Sequence, residues 1–431
     1  MKRSLSLSRD DAALLADAVP PLLSYYAANA TPLPWRQPSR TGYPDPYRVW
    51  ISEVMLQQTR IEAVLPYYER FLLAYPTPAA LASSEEGELL KLWEGLGYYS
   101  RARNLRRGAQ YLCERHGGAL PADLAALSRI PGVGAYTAGA IASIAFGLPA
   151  PAVDGNVMRV LARLFCDSRP VTDPALRLCY TEGLAAVYPR GADASSLTQA
   201  WMELGQRVCL PAGAPRCGDC PLCRLCRATA AGCAATLPNR EKKKPRRIEQ
   251  RTLLLLCRDG RFAIRRRPPE GLLASLWEFP SLDGWADGRA IEEGVAALGL
   301  TPLEWARLPD ARHVFTHIEW QMRCYLVNVA AATGAADTTG AIDATGAADT
   351  TGATSAIGAT SAIGAIGAND ATDATNTTDA ARATGQTASD KPAGDKNSPL
   401  IFVTPDELRQ QYALPSAFRA LREIALMNNR P

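Results

Sequence analysis

The chain contains no apolar run approaching the roughly 18 residues that cross a bilayer, so the sequence offers no membrane-spanning helix. It also lacks an apolar stretch behind Lys2 and Arg3. Residues Ser4 to Asp11 are too polar for the hydrophobic region of a secretory signal, which leads to an expected cytoplasmic location, where disulfides do not persist. A third deficit is local: residues 331–397 contain no aromatic residue. They are built from Ala, Thr, Gly, Asp and Ser with near-repeats such as Ala336-Asp337-Thr338-Thr339-Gly340 and Thr354-Ser355-Ala356-Ile357-Gly358. Such a stretch cannot bury enough surface to offset its ordering entropy, so a disordered low-complexity insertion is expected over 331–397.

What is present has to fill 431 residues, more than one hydrophobic core usually organises, and a multidomain chain is expected. The formal net charge of +4 hides an asymmetry. Residues 331–390 hold seven Asp and one Arg, a net of −6 that leaves the rest of the chain at +10. That excess suits a polyanionic partner without identifying one.

From Asp10 to Arg227 apolar residues recur at three- and four-residue spacing, with Pro and Gly at the turns, which reads as an all-α domain spanning 1–233. Six cysteines between Cys209 and Cys233 close it, and the basic run Lys242-Lys243-Lys244-Pro245-Arg246-Arg247 lies in an expected linker over 234–249. The period then changes. Thr252 to Cys257, Phe262 to Arg265 and Gln321 to Val329 read as strands, Pro405-Asp406-Glu407 opens a helix, and Ser416 to Met427 forms another. These define an expected α+β domain over 250–330 and 398–431.

Within the first domain, Pro131-Gly132-Val133-Gly134 is a tight turn before a helix of small residues, a helix-hairpin-helix signal over about 124–146. The glycines allow close backbone approach, and the helix start offers N–H groups to a phosphate. Asp154 opens a later helix, where a helix N-cap is the plain alternative to a catalytic role. Glu53 has Val49, Trp50 and Leu56 on its own helical face, and a carboxyl on an apolar face is pushed toward its protonated form. Two carboxyls in unlike environments are what cleavage at a sugar's anomeric carbon requires, one to protonate the leaving group and one to stabilise the oxocarbenium-like sugar. Cys209, Cys217, Cys220, Cys223 and Cys226, with no histidine among them, indicate a metal held by sulfur, either zinc or an iron–sulfur cluster.

Four separated runs, Leu33-Pro34-Trp35-Arg36, Ser52 to Thr59, Trp93 to Asn104 and Val153-Asp154-Gly155-Asn156-Val157, resemble the endonuclease III-like helix-hairpin-helix DNA glycosylases. Among these they resemble the MutY-type, adenine-specific family that acts on adenine opposite 8-oxoguanine or guanine. The resemblance implies that Glu53 protonates the adenine ring at N7, that Asp154 stabilises the sugar cation, and that Tyr136 and Asn156 support them. It implies duplex contacts by Arg36, Gln58, Thr59, Leu96, Tyr98, Gly132 and Gly134, with Tyr98 wedging into the base stack. In related enzymes that also cut the strand, a Lys stands where this chain has Tyr136, and a phenol cannot form a Schiff base, so a monofunctional glycosylase is expected. The family carries a [4Fe–4S] cluster, which places ligands at Cys209, Cys217, Cys220 and Cys226 in the loop 209–226. Seven residues separate the first two here where six are usual, and Cys223 is a candidate substitute.

In the second domain, Arg266 to Pro280 resembles the NUDIX-like domain of the same enzymes but lacks the Glu-rich metal-binding pattern of the hydrolases. His313-Val314-Phe315-Thr316-His317 resembles their lesion-recognition loop, with Thr316 and His317 as contacts. The implied partner is double-stranded DNA with an adenine:8-oxoguanine or adenine:guanine mispair, bound by a monomer. A pyrimidine-specific glycosylase and an inactive iron–sulfur DNA-binding module are the rival readings; Tyr136 and the second domain count against the first, the carboxyl pair against the second. Lengthening a surface loop costs only ~0.6 kcal/mol per doubling. Deleting residues 334–395 should therefore leave adenine release from a mispaired duplex within a few-fold of the full chain, measured by alkali cleavage of the abasic product.

Overall fold

Helix starts in the first domain follow capping chemistry. Ser8, Asp45, Thr77, Asp123, Asp154 and Asp173 each accept a first-turn backbone N–H at a helix N-cap, and proline follows directly at Asp45, Thr77 and Asp173. The computed structural model describes residues 6–240, 245–331 and 398–427. The expected insertion lies outside them, save Ala331, which ends a strand.

The helices are α1 (Arg9–Asn29), α2 (Pro46–Leu56), α3 (Ile61–Ala74), α4 (Pro78–Ala82), α5 (Glu86–Leu92), α6 (Ser100–His116), α7 (Leu124–Leu127), α8 (Ala135–Phe146), α9 (Gly155–Phe165), α10 (Pro174–Val187), α11 (Ala192–Arg207) and α12 (Arg227–Ala230). Helix α8 is apolar all round and buried from Thr137 to Ala145, so it forms the axis of this domain, packed against α2, α7 and α11. Its small residues permit close approach. A Cβ at Gly139 would stand 2.5 Å from the carbonyl oxygen of Pro151, in the segment leading to Asp154. Among the described residues, no helix is long and apolar enough to cross a membrane.

The second domain is a mixed sheet of β1 (Arg247–Arg258), β2 (Arg261–Arg266), β3 (Trp277–Glu278), β4 (Ser281–Asp283), β5 (Leu300–Val314), β6 (Ile318–Ala331) and β7 (Ile401–Val403), in the order β3-β2-β1-β6-β5. Strand β1 runs parallel to β6, and β4 and β7 pair with β1 and β2. Helix α13 (Gly288–Ala296) covers one apolar face, around Leu254, Leu256 and Val327. The segment of α14 (Pro405–Gln410) and α15 (Arg419–Met427) covers the other, around Leu255, Phe262 and Trp320.

Pairing of β1 begins at Arg247, inside the stretch expected as linker. Strand β5 was not expected at all. Its apolar alternation is broken by Pro302 and Pro309, which an edge strand tolerates, and the ladder to β6 shifts register beside both.

The domains dock through apolar and polar contacts. Leu276 and Ala413 are buried within the helical core. Lys91 Nζ donates to the carbonyl of Tyr412 at 2.9 Å, and Glu94 Oε1 accepts the backbone N–H of Leu414 at 2.9 Å and the Arg422 guanidinium at 3.2 Å. Arg103 donates to the carbonyl of Ala274. Glu94 thus sits where the two domains are joined, in the same loop as Leu96 and Tyr98.

Candidate active site

Helix α2 carries Glu53 into the interior, with 6% of the residue exposed, and the buried Val49, Trp50 and Val54 lie on the same helix. Tyr136, in the first turn of α8, donates its phenol to Glu53 Oε2 at 2.7 Å and lies 3.7 Å from Met202 Sδ. Burial raises the Glu53 carboxyl to about 7; the Tyr136 hydrogen bond and Arg36 oppose the rise, and the charge of Asp154 adds to it. Burial, then the two nearby carboxyls, pushes the Tyr136 phenol well above its ordinary range.

Asp154 is both N-cap and site residue. Its Oδ1 accepts the N–H groups of Asn156 and Val157, each at 2.8 Å, and its Oδ2 accepts the Asn156 amide at 2.7 Å. Burial pushes the Asp154 carboxyl above its ordinary range, while these donors and the Arg159 guanidinium pull in the opposite direction. Arg159 extends the network. It donates to Asn156 Oδ1 at 2.9 Å, to the carbonyl of Gly205 at 2.6 Å and to that of Cys209 at 2.8 Å. The first site carboxyl is therefore dry and held by one phenol, and the second is held by three hydrogen bonds at a helix N-terminus, where the dipole favours an anion.

Cys209, Cys217, Cys220 and Cys226 line one cavity with Arg163, Leu222 and Thr229; Cys223 is not among its lining residues. Arg163 Nη1 donates to Cys209 Sγ at 3.1 Å, and Thr229 Oγ1 to Cys217 Sγ at 3.6 Å. Among the described residues, no three Cys, His, Asp or Glu side chains converge on a point for a single metal ion. Four thiols spread around a cavity fit a multi-iron cluster, which takes one thiolate per iron, better than a zinc ion needing every sulfur at ~2.3 Å.

The remaining predicted positions fall into three groups. Gly132 (φ +81°) and Gly134 form the turn before α8, and a Cβ at Gly132 would lie 2.5 Å from Asn104 Cβ. Gln58, exposed, and Tyr98, half-exposed, share a feature that sequence did not announce: both have left-handed backbone, φ 58° and 48°. Thr59 is partly buried and Leu96 is buried behind them. Thr316 and His317 sit exposed in the β5–β6 turn, and the Thr316 and Tyr98 hydroxyls meet at 3.3 Å, joining the two domains' loops. Arg36 is placed differently from expectation: it is committed to Glu203 at 2.7 Å and to the carbonyl of Thr31 rather than turned to solvent. Sequence reasoning gave no role to Arg159, Glu203 or Arg101; each is a buried polar residue with several partners, which apolar periodicity does not reveal.

A tight spot tests this arrangement. A Cβ at Gly205 would stand 2.6 Å from Asn156 Cβ. Overpacking of this kind costs typically about 1–3 kcal/mol, so Gly205→Ala should lower the thermal unfolding midpoint by several degrees.

Residues 51–178 match the HhH-GPD superfamily of base excision DNA repair proteins, and residues 251–348 match the NUDIX domain. The adenine DNA glycosylase of Rattus norvegicus is 34% identical over 372 residues, covering 74% of this chain and 71% of its own. That of Homo sapiens is 35% identical over 364 residues, covering 70% and 65%. A solved thermostable thymine-DNA glycosylase is 26% identical, covers 51% of this chain and 98% of its own, and superposes with a TM-score of 0.45. With four cysteines lining one cavity, a buried Glu53 hydrogen-bonded to Tyr136 and a rat relative matched over more than two thirds of its length, the chain belongs to the adenine DNA glycosylases of base excision repair.

Proposed function

We propose that this enzyme releases adenine paired with 8-oxoguanine or guanine by hydrolysis of the N-glycosidic bond and leaves the strand uncut. The observation that carries the reading is the Glu53–Tyr136–Asp154 group, two carboxyls in unlike surroundings with a phenol hydrogen-bonded to the first and no amine nucleophile at position 136. The adenine leaves the stack first, since neither carboxyl reaches it inside a duplex. Glu53, protonated near neutral pH, gives its proton to N7 of the purine and makes the base a better leaving group. Tyr136 holds the Glu53 carboxyl in place. Asp154, fixed by Asn156 and the start of α9, faces the sugar cation as it forms and stabilises it or adds to it.

The partner base is the task of the loops that meet at Tyr98 and Thr316. Tyr98 wedges beside it, Gln58 and Thr59 probe the opposite stack, Gly132 and Gly134 open α8 toward a phosphate, and Thr316 with His317 recognises the oxidised base. Cys209, Cys217, Cys220 and Cys226 would hold a [4Fe–4S] cluster, which when bound supplies cross-links that fix the loop; an absorption band near 400 nm, typical of such clusters, tests for it.

The deciding assay uses a labelled duplex with adenine opposite 8-oxoguanine, guanine or cytosine, with abasic sites revealed by alkali. Release from the first two and little from the third supports the reading; action confined to thymine, or none, overturns it. The same assay checks the acid. Below about 7 Glu53 carries its proton, and above it the protonated fraction falls about tenfold per pH unit. The single-turnover rate should fall with it on the alkaline side, and decline again at low pH as Asp154 takes a proton. Glu53→Gln should cost about 10²–10⁴ in rate. For strand cleavage, Tyr136→Lys places an amine beside the sugar, so borohydride should trap a covalent enzyme–DNA adduct that the wild type does not form.

A further inference from the structure

Arg101 is a buried cation with no acidic partner among the described residues, and its hydrogen bonds run almost wholly to backbone carbonyls. It is the second residue of α6 and is 6% exposed. Its Nη1 faces the carbonyls of Val54 (3.0 Å), Met55 (2.8 Å) and Gln57 (2.7 Å). Its Nη2 faces Thr59 Oγ1 (3.3 Å) and the carbonyls of Leu96 and Gly97 (both 3.1 Å). The guanidinium carbon also lies 5.4 Å from the Trp93 ring centroid and 5.5 Å from that of Tyr98.

These acceptors belong to the last turn of α2 and to two separate turns. One, 57–59, leaves the end of Glu53's helix; the other, 96–98, leads into α6. Each turn holds a side chain in left-handed backbone, Gln58 and Tyr98, a conformation that persists only where the surroundings enforce it. The carbonyls flanking both strained residues point at the same planar fork, which satisfies several acceptors at fixed angles in a way an ammonium cannot. A positive group at the last carbonyls of α2 also matches the dipole of that helix.

We propose that Arg101 is the positioning residue that ties the two turns to each other and to the end of α2, so that Gln58 and Tyr98 meet the duplex as one unit in register with Glu53. The proposal rests on the reading that Tyr98 wedges beside the lesion, and its test separates the two.

Arg101→Lys keeps a charge but reaches one turn at a time. In the full-length protein, amides of residues 57–59 and 96–98 should exchange with deuterium at least tenfold faster, with those of 138–145 in α8 unchanged. On a duplex carrying 2-aminopurine next to 8-oxoguanine, saturating Arg101→Lys should give less than half the wild-type fluorescence change, and single-turnover release should slow tenfold or more. Arg106→Lys, a control on the same helix whose guanidinium donates to the carbonyl of Ser84, should leave all three readouts alone. If Tyr98→Ala gives the full wild-type signal, the wedge reading fails and takes the proposal with it. If the signal needs Tyr98 but Arg101→Lys retains it, if either turn keeps its protection, or if Arg106→Lys shows the same losses, the proposal alone is overturned. Should Arg101→Lys not fold, native-state exchange of the wild type decides: a shared opening free energy for both turns supports the tie, and unequal values overturn it.

Discussion

The loss of water around one carboxyl, that of Glu53, is the constraint on which the rest of the first domain depends. An acid buried among apolar side chains is costly when ionised, and its cost is what adapts it to carry a proton near neutral pH. Nearly every helix around it contributes to keeping that position fixed. Helix α2 supplies the apolar face, α8 brings the phenol, and the N-terminus of α9 brings a second carboxyl whose own donors oppose the effect of its burial in part. The two acids differ because their partners differ, and not because their chemistry does.

A second requirement follows from the first: the anionic group must not drift. Asp154 is anchored to Asn156, Asn156 to Arg159, and Arg159 to the carbonyls of Gly205 and Cys209. The cysteine loop is thereby joined to the start of α9 by one guanidinium. The absence of a side chain at Gly205 lets α11 come close enough for that join. The loop lies away from the carboxyls, yet the same arginine touches both it and the residue that orients Asp154.

Much of this was legible in the residues, and the parts that were not have physical reasons. The apolar neighbours of Glu53 at helical spacing indicated its burial, and the Asp-Gly-Asn run at Asp154 indicated a cap before any coordinates. The helical domain, the turn at Pro131-Gly132-Val133-Gly134 and the strands at Thr252, Phe262 and Gln321 followed from periodicity and punctuation. Strand β5 did not, because its two prolines and exposed side chains remove the alternation by which strands are recognised. Arg36 illustrates a different limit: the resemblance of its run implied a duplex contact, while its ion-pair partner, Glu203, lies far along the sequence. Arg101 stood in plain view within the run Trp93 to Asn104, but carbonyls have no letter in a sequence, so a side chain that binds mostly backbone leaves little in the sequence to read.

The two domains meet unevenly. Near Glu94 the join is dense, with Lys91, Arg422, Leu414, Leu276 and Ala413 combining charge, backbone hydrogen bonds and buried apolar surface. Four residues further along the same loop, Tyr98 meets Thr316 through a pair of neutral hydroxyls. A bond of that kind contributes about 0.5–1.5 kcal/mol. The contact between Tyr98 and Thr316 is thus the weaker part of the join, the part that yields first when the two loops separate.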